Sequence, residues 1–267
     1  MIPKLRDILD LLEEIAPVRL AESWDNPGLQ VGSYSHRIKK IFVALDATLE
    51  SLQSAVKHGA QLLLTHHPLI FEPISRFDME SFPGNVILEA LRGEISIVAA
   101  HTNLDVASEG INYILADMLN LQRVEVLQEM NGLEGVGLGR IGDLKESNTL
   151  SEILKNLKNI LGVKNLGVVG RTDRKIRRIA VVGGSGASLV SLASQKGADM
   201  LLTGDVGYHH AMEAKSLGIV LIDGGHFRTE KAAFTVFAKR LGKMIRDRGW
   251  DSKVEVDGDE CDPVTYS

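Results

Sequence analysis

A chain of 267 residues with 44% apolar and 5% aromatic side chains has enough aliphatic material for a sizeable core, as one large domain or two lobes, and is not a disordered composition. Its formal net charge of −5 sets up no global field that would draw nucleic acid or an anionic membrane, although local basic clusters stay open. The single cysteine, Cys261, excludes a disulfide framework within the chain and a thiolate zinc cage, and points to a reducing cytoplasm.

The opening stretch MIPKLRDILDLLEEIAP reads as an amphipathic helix over residues 3–16, with Leu5, Ile8, Leu9, Leu12 and Ile15 on one face, and not as a signal peptide. No apolar run approaches the roughly 20 residues that span a bilayer. KIFVALD (40–46) is a short buried strand, 49–58 a helix, and QLLLTHH the next strand. The helix NVILEALRG, the strand ISIVAAH (95–101), a turn at TNLD and the helix EGINYILADMLN follow. Strands alternating with helices predict parallel βαβ units with helices on the sheet faces. Residues 128–150 are rich in glycine and acids, and LEGVGLGRIGDL reads as a strand entering a second lobe. Residues 150–161 form an amphipathic helix capped by Asn148 or Thr149, and SKVEVD is a final strand before a polar tail.

The second half repeats the first. RIKKIFVALDATLESLQSAVKHGAQLLLTHH, from Arg37, aligns without a gap to KIRRIAVVGGSGASLVSLASQKGADMLLTGD, from Lys175. IVAAHTNLDVASEG then has its counterpart in IVLIDGGHFRTEK. βαβ units resemble one another in any case, but a gapless match over a whole unit favours internal duplication. The predicted fold is α/β: two similar lobes with mixed, mostly parallel sheets flanked by helices. The expected division is a first lobe of residues 1–127 and 226–267, a second lobe of 128–225, and a cleft between them.

The histidines are grouped. His66 and His67 end one strand, and His101 ends another, with Asp105 four residues on. His209 and His210 follow the repeat of the first strand. His226 follows a further strand, with Glu230 four residues on. All belong at the carboxyl ends of strands, where open parallel sheets build their sites. Imidazole nitrogen and carboxylate oxygen are ligands for zinc, iron, manganese, nickel and cobalt. Pro68 lacks an N–H and restricts His67, so the strand stops and the two imidazoles splay. One imidazole then serves each of two ions roughly 3.5–4 Å apart. His226 and Glu230 share a face if a helix starts near 226, and Asp105, a short acid in a turn, suits a bridging role. Taken singly, each has a plainer reading: a loop containing two histidines, Asn103 and Asp105 capping the next helix, a surface i,i+4 pair. The conjunction of the clusters favours a metal site.

Trp24, Asp25 and Asn26 read as an ordered loop over the site, or as a polar turn with the tryptophan packed beneath it. GGSGAS (183–188) follows a strand and opens a helix, an arrangement that binds phosphate through backbone N–H groups, although a tight turn explains the glycines equally well. RTDRKIRR (171–178) is a basic run, either a solvated strand edge or an attractor of anions.

AESWDNPGLQVG (21–32), LLLTHHPLIF, AAHTNLD, LLTGDVGYHHAMEA and DGGHFRTE, in this order, resemble the Nif-three-like family of dinuclear metal proteins, some of which are labelled type-two GTP cyclohydrolase I homologues. The resemblance covers essentially the whole chain. Pro27 stands where valine is common in that family. The resemblance implies that His66, His67, Asp105, His226 and Glu230 ligate two divalent ions, and that the protein is a toroidal homohexamer. His101 is absent from the transferred ligands and reads as an acid/base group or a hydrogen-bond partner of the ligands. The functional expectation is a cytoplasmic, metal-dependent hydrolase of a nucleotide or related phosphorylated compound. The alternative is a non-catalytic metal-binding or ring-shaped scaffold protein that engages other macromolecules. Nucleic acid is disfavoured by the acidic charge, and no membrane partner is expected.

Overall fold

Aliphatic runs and amphipathic stretches alternate along the chain, and the backbone pairs in sheets over the former and in helices over the latter. The computed structural model describes residues 1–264 apart from 131 and 172. In chain order the elements are α1 (Leu5–Ile15), β1 (Gly28–Val31), β2 (Lys40–Ala44), α2 (Leu49–Lys57), β3 (Leu62–Thr65), α3 (Gly84–Arg92), β4 (Ser96–Ala99), α4 (Thr102–Val106), α5 (Ile111–Met118), β5 (Gln122–Glu129), β6 (Gly137–Thr149), α6 (Leu150–Leu161), β7 (Gly167–Val169), β8 (Lys175–Ser185), α7 (Val190–Gln195), β9 (Met200–Gly204), α8 (Tyr208–Leu217), β10 (Val220–Asp223), α9 (His226–Asp247) and β11 (Lys253–Val256). They form two compact units: Met1–Leu104 with the residues from Phe234 onward, and Asp105–Ala233.

The first unit is built on a sheet in the order β1-β4-β3-β2-β11, parallel except for β1, which runs antiparallel to β4. Strands β3 and β4 are buried throughout, which is why they read as unbroken apolar runs and do not alternate. Phe42, Leu63 and Ile97 of the sheet pack with Leu52 of α2 and Val86 of α3. Helix α1 buries Leu5, Ile8, Leu11 and Leu12. Thr48 starts α2 by accepting the Ser51 N–H, while Ser51 Oγ accepts the Thr48 N–H.

The second unit carries a sheet in the order β5-β6-β8-β9-β10-β7. Strands β8, β9 and β10 are parallel, and β5, β6 and β7 join antiparallel. Its core gathers Val182, Leu201 and Leu221 from the sheet with Val190 and Ala193 of α7. Thr149 caps α6 in a reciprocal box with Glu152, and Gly162 ends that helix in the left-handed region at φ 65°.

The expected α/β class with two mixed sheets is therefore the fold. The repeat carries into the topology: β2-β3-β4 and β8-β9-β10 lie side by side in the same order, and each last strand takes an antiparallel partner, β1 on β4 and β7 on β10. Three features differ from expectation. β1, β5 and β7 are additional strands. TNLD is the short helix α4, not a turn. The compact units meet at 104/105 and 233/234, against the expected 127/128 and 225/226; residues 105–127 go with the second unit because β5 pairs with β6 and α5 packs on β6 and β8.

Within the second unit, Arg140 is 2% exposed. Its guanidinium donates to Gly137 O (2.7 Å), Gly139 O (2.8 Å) and Ala107 O (2.7 Å), tying the connection after α4 to β6. Burial pulls its pKa down to about 10, so it stays charged at neutral pH. Arg140→Met leaves those buried carbonyls without a donor. It is expected to lower unfolding free energy by about 2–4 kcal/mol in a urea titration, with an unchanged slope. A loss below about 0.5 kcal/mol would contradict this role.

Candidate metal centre

The β3 ladder stops at Thr65, as Pro68 requires. Beyond it the His66 and His67 N–H groups both donate to Leu45 O, at 3.1 and 3.0 Å. Two successive amides aimed at one carbonyl break the strand alternation, so the two rings come together with centroids 5.1 Å apart. His101 follows β4, its N–H held by Asn103 Oδ1 at 3.0 Å. Its ring lies 5.3 Å from that of His66 and 5.4 Å from that of His67, closing a triangle of imidazoles. Donor atoms of the three lie within 4.8 Å of one another. Two ligands on opposite sides of one ion are about 4 Å apart, so the set fits a cation with small side-chain adjustments.

Each ring is oriented through Nδ1. His66, fully buried, donates Nδ1–H to Ala100 O at 2.8 Å, because a carbonyl only accepts. His67 Nδ1 pairs with Asp46 Oδ1 at 2.8 Å and His101 Nδ1 with Asp25 Oδ1 at 2.8 Å. In a neutral ring this places the lone pair on Nε2, the arrangement found for metal-ligating histidines and equally for a general base. Asp46 is itself fixed from behind, since Glu260 accepts both the Leu45 and the Asp46 N–H at 2.9 Å. The Asp25 side chain is buried, which raises its pKa. Hydrogen bonds from His101, Thr102 and the Asn26 N–H outweigh that burial and hold the carboxyl at about 2.

In the second unit, His226 opens α9 and meets Glu230 one turn on, Nε2 to Oε2 at 3.1 Å. Its Nδ1 donates to Asp205 Oδ2 at 2.7 Å. The Glu230 hydrogen bond, against the effect of burial and with help from Asp205, raises the His226 pKa to about 9. Two carboxylates around one imidazole call for a cation, and a divalent ion taken up below that pH displaces a proton. Asp105 lies half-buried in α4. The structure thus gathers His66, His67 and His101 in one unit, and pairs His226 with Glu230 in the other.

Other sequence readings resolve differently. Neither Asn103 nor Asp105 caps α5, whose N-cap is Gly110. Trp24 is not packed beneath its loop, being 55% exposed. GGSGAS is no phosphate cradle. Gly183 and Gly184 extend β8, and the N–H groups of Gly183, Gly184 and Gly186 are taken by Asn112 Oδ1, Thr229 Oγ1 and Thr203 Oγ1. Gly184 has another task. At φ 63° it is in the left-handed region, and a Cβ there would sit 2.1 Å from Glu230 Oε1, so the glycine makes room for that carboxylate. In RTDRKIRR, Thr172 lies outside the described residues. Arg171, Arg174 and Arg178 are paired with Asp173, Asp199, Asp143 and Glu125, and the run leads into the start of β8, an interior strand of its sheet and not an edge. His209 and His210 open α8, and neither joins a donor group among the described residues. Sequence reasoning places Asp25 in a loop over the site but misses the orienting role of Asp25, Asp46 and Asp205. Asp46 and Asp205 do carry a signal, since each stands at or just beyond the carboxyl end of a strand.

Fold and site together define a two-unit α/β protein with candidate metal-binding histidines and carboxylates at its sheet ends. The chain belongs to the DUF34/NIF3 (NGG1p interacting factor 3) family, whose model matches residues 3–261. It is 38% identical over 265 residues to a Clostridium perfringens protein named GTP cyclohydrolase 1 type 2 homolog, covering 98% of this chain and 99% of that one. It is 36% identical over 237 residues to a Helicobacter pylori GTP cyclohydrolase 1 type 2, covering 89% and 91%. A Bacillus cereus protein related to NIF3 superposes with a TM-score of 0.91 at 27% identity, over 100% of both chains. Among the described residues no helix is long and apolar enough to cross a membrane.

In protein stripped of divalent ions, the His226 ring is expected to titrate near pH 9 by NMR. Because its pKa is raised above the ordinary 6.5, the stabilisation it gives is complete below about pH 6.5 and lost as pH rises through about 9. A midpoint near 6.5 would contradict the pairing with two carboxylates.

Proposed function

We propose that this protein is a hydrolase that uses two divalent ions, held by His66, His67, Asp105, His226 and Glu230, to act on a nucleotide or related phosphorylated substrate. The observation that carries the reading is the pair of oriented imidazoles of His66 and His67, their donor atoms within 4.8 Å of each other and of a ring nitrogen of His101, which stands beside them as the acid/base group. The all-nitrogen and oxygen donor set suits zinc, manganese, iron, nickel or cobalt. Bound ions there supply Lewis acidity and a water activated near neutral pH.

The chain's own residues do the rest. Asp46 and Asp205 hold His67 and His226 in orientation and raise their basicity as ligands. Asp25 keeps the His101 proton on Nδ1, so Nε2 accepts a proton from the attacking water, and the buried carboxylate stabilises the imidazolium that forms. His101 then returns that proton to the leaving group. The names of the relatives support a purine nucleotide as substrate. One water adding at C8 would open the five-membered ring to a formamide, and a second water would hydrolyse that formamide to formate and a free amine. The reading includes a ring of six copies in the cytoplasm.

Elemental analysis and nucleotide turnover test it together. Wild type is expected to hold two ions per chain, and the His66→Ala, Glu230→Ala double variant to lose them. His101→Ala keeps its metal but loses about 10²- to 10⁴-fold in turnover. Full metal in the double variant would overturn the ligand assignment. Metal-loaded wild type that turns over no nucleotide would favour a metal-binding or scaffold role.

A further inference from the structure

The motif AESWDNPGLQVG is only partly used by the metal centre, through Asp25. Asn26 Nδ2 donates to Ile70 O at 2.7 Å, and Gln30 Oε1 accepts the Ile70 N–H at 3.1 Å, so side chains of the motif hold both backbone groups of Ile70. Gln30 also donates to Asn26 O at 2.7 Å. On the other flank, Asp25 is bound by His101 and by the N–H and hydroxyl of Thr102. The backbone is therefore braced next to both Trp24 and Phe71. Yet these two rings are 55% and 50% exposed. They stand 5.6 Å apart with their planes 46° from each other, and the indole meets the His101 ring edge-on at 6.1 Å.

Aromatic surface left in water on a braced backbone is pre-organised for contact, because little conformational freedom remains to be lost on binding. Two splayed flat faces beside a proton-transferring imidazole match a flat partner. They offer no charge to recognise a phosphate or a carboxylate. We propose that Trp24 and Phe71 are a stacking platform for the heteroaromatic ring of the substrate, setting that ring beside His101. This rests on the hydrolase reading above and narrows its substrate class to compounds with a planar nitrogen heterocycle. Trp24 and Phe71 then govern ring recognition, while the metal-holding residues govern reaction.

The test uses metal-loaded full-length protein, with guanosine 5′-monophosphate and ribose 5-phosphate as probes, followed by calorimetry and tryptophan fluorescence. The chain has two tryptophans, so Trp250→Phe isolates the Trp24 signal. That signal is expected to be quenched by the guanine nucleotide and not by the sugar phosphate. Trp24→Ala weakens nucleotide binding at least about fivefold, the low end for a base on an aromatic ring, and Trp24→Phe restores most of it. Nucleotide affinity unchanged in Trp24→Ala, no quenching of Trp24, or no nucleotide binding by wild type would each overturn the platform. So would a Trp24→Ala, Phe71→Ala variant that changes sedimentation and leaves nucleotide affinity unchanged, since the rings would then be a contact between copies. Ring-dependent binding without turnover leaves the platform standing and removes the hydrolase. Turnover with an unchanged KM in Trp24→Ala does the reverse.

Discussion

An imidazole has two nitrogens and, when neutral, one proton, so whatever holds Nδ1–H decides where the lone pair points. In this protein an oxygen takes that role at His66, His67, His101 and His226. For His66 the oxygen is the Ala100 carbonyl, which no side-chain substitution removes. That contact depends on sheet register: Thr65 stands opposite Ala99, and the Ala100 N–H continues the pairing to Thr65 O at 2.9 Å, which brings the next carbonyl to the His66 ring. A slip of one residue between β3 and β4 would turn the side chains over and take the acceptor away. The buried sheet core of the first unit thus determines the protonation pattern of the site at its edge.

The two units use one topology to different ends. Where the first repeat has His66 and His67 after its strand, the second has Gly204 and Asp205. Where the first has Asp46, the second has Gly184. In the first unit an acid at the end of β2 orients a histidine after β3. In the second, the acid after β9 orients a histidine that opens α9. Position 204 has no space for a side chain, since a Cβ there would meet the His226 N–H nitrogen at 2.4 Å. Gly184 gives way to Glu230 in the same manner. The glycines that looked like a ligand cradle are the room needed by a helix that brings its own histidine and carboxylate.

Much of this is legible in the sequence. The buried parallel strands announce themselves as unbroken aliphatic runs, the repeat as a gapless match, and the end of β3 as a proline after two histidines. Thr149 as the cap of α6 was one of two candidates, settled by Glu152 three residues on. What escaped was non-local or weakly patterned. β5, largely exposed except at Val126 and Leu127, offers little periodicity to read. Asp25 orients a histidine 76 residues away, and nothing near it in sequence says so. GGSGAS misled because a local motif does not show that Asn112, Thr203 and Thr229 occupy its N–H groups.

The most direct measurement of the central claim is the tautomer of each ring, read from nitrogen-15 couplings in histidine-labelled, metal-free protein at a pH where the rings are neutral. The account predicts protonated Nδ1 and bare Nε2 for His66, His67 and His101. Protons on Nε2 of His66 and His67 would contradict it, because those rings would then have no lone pair where a cation is to be held.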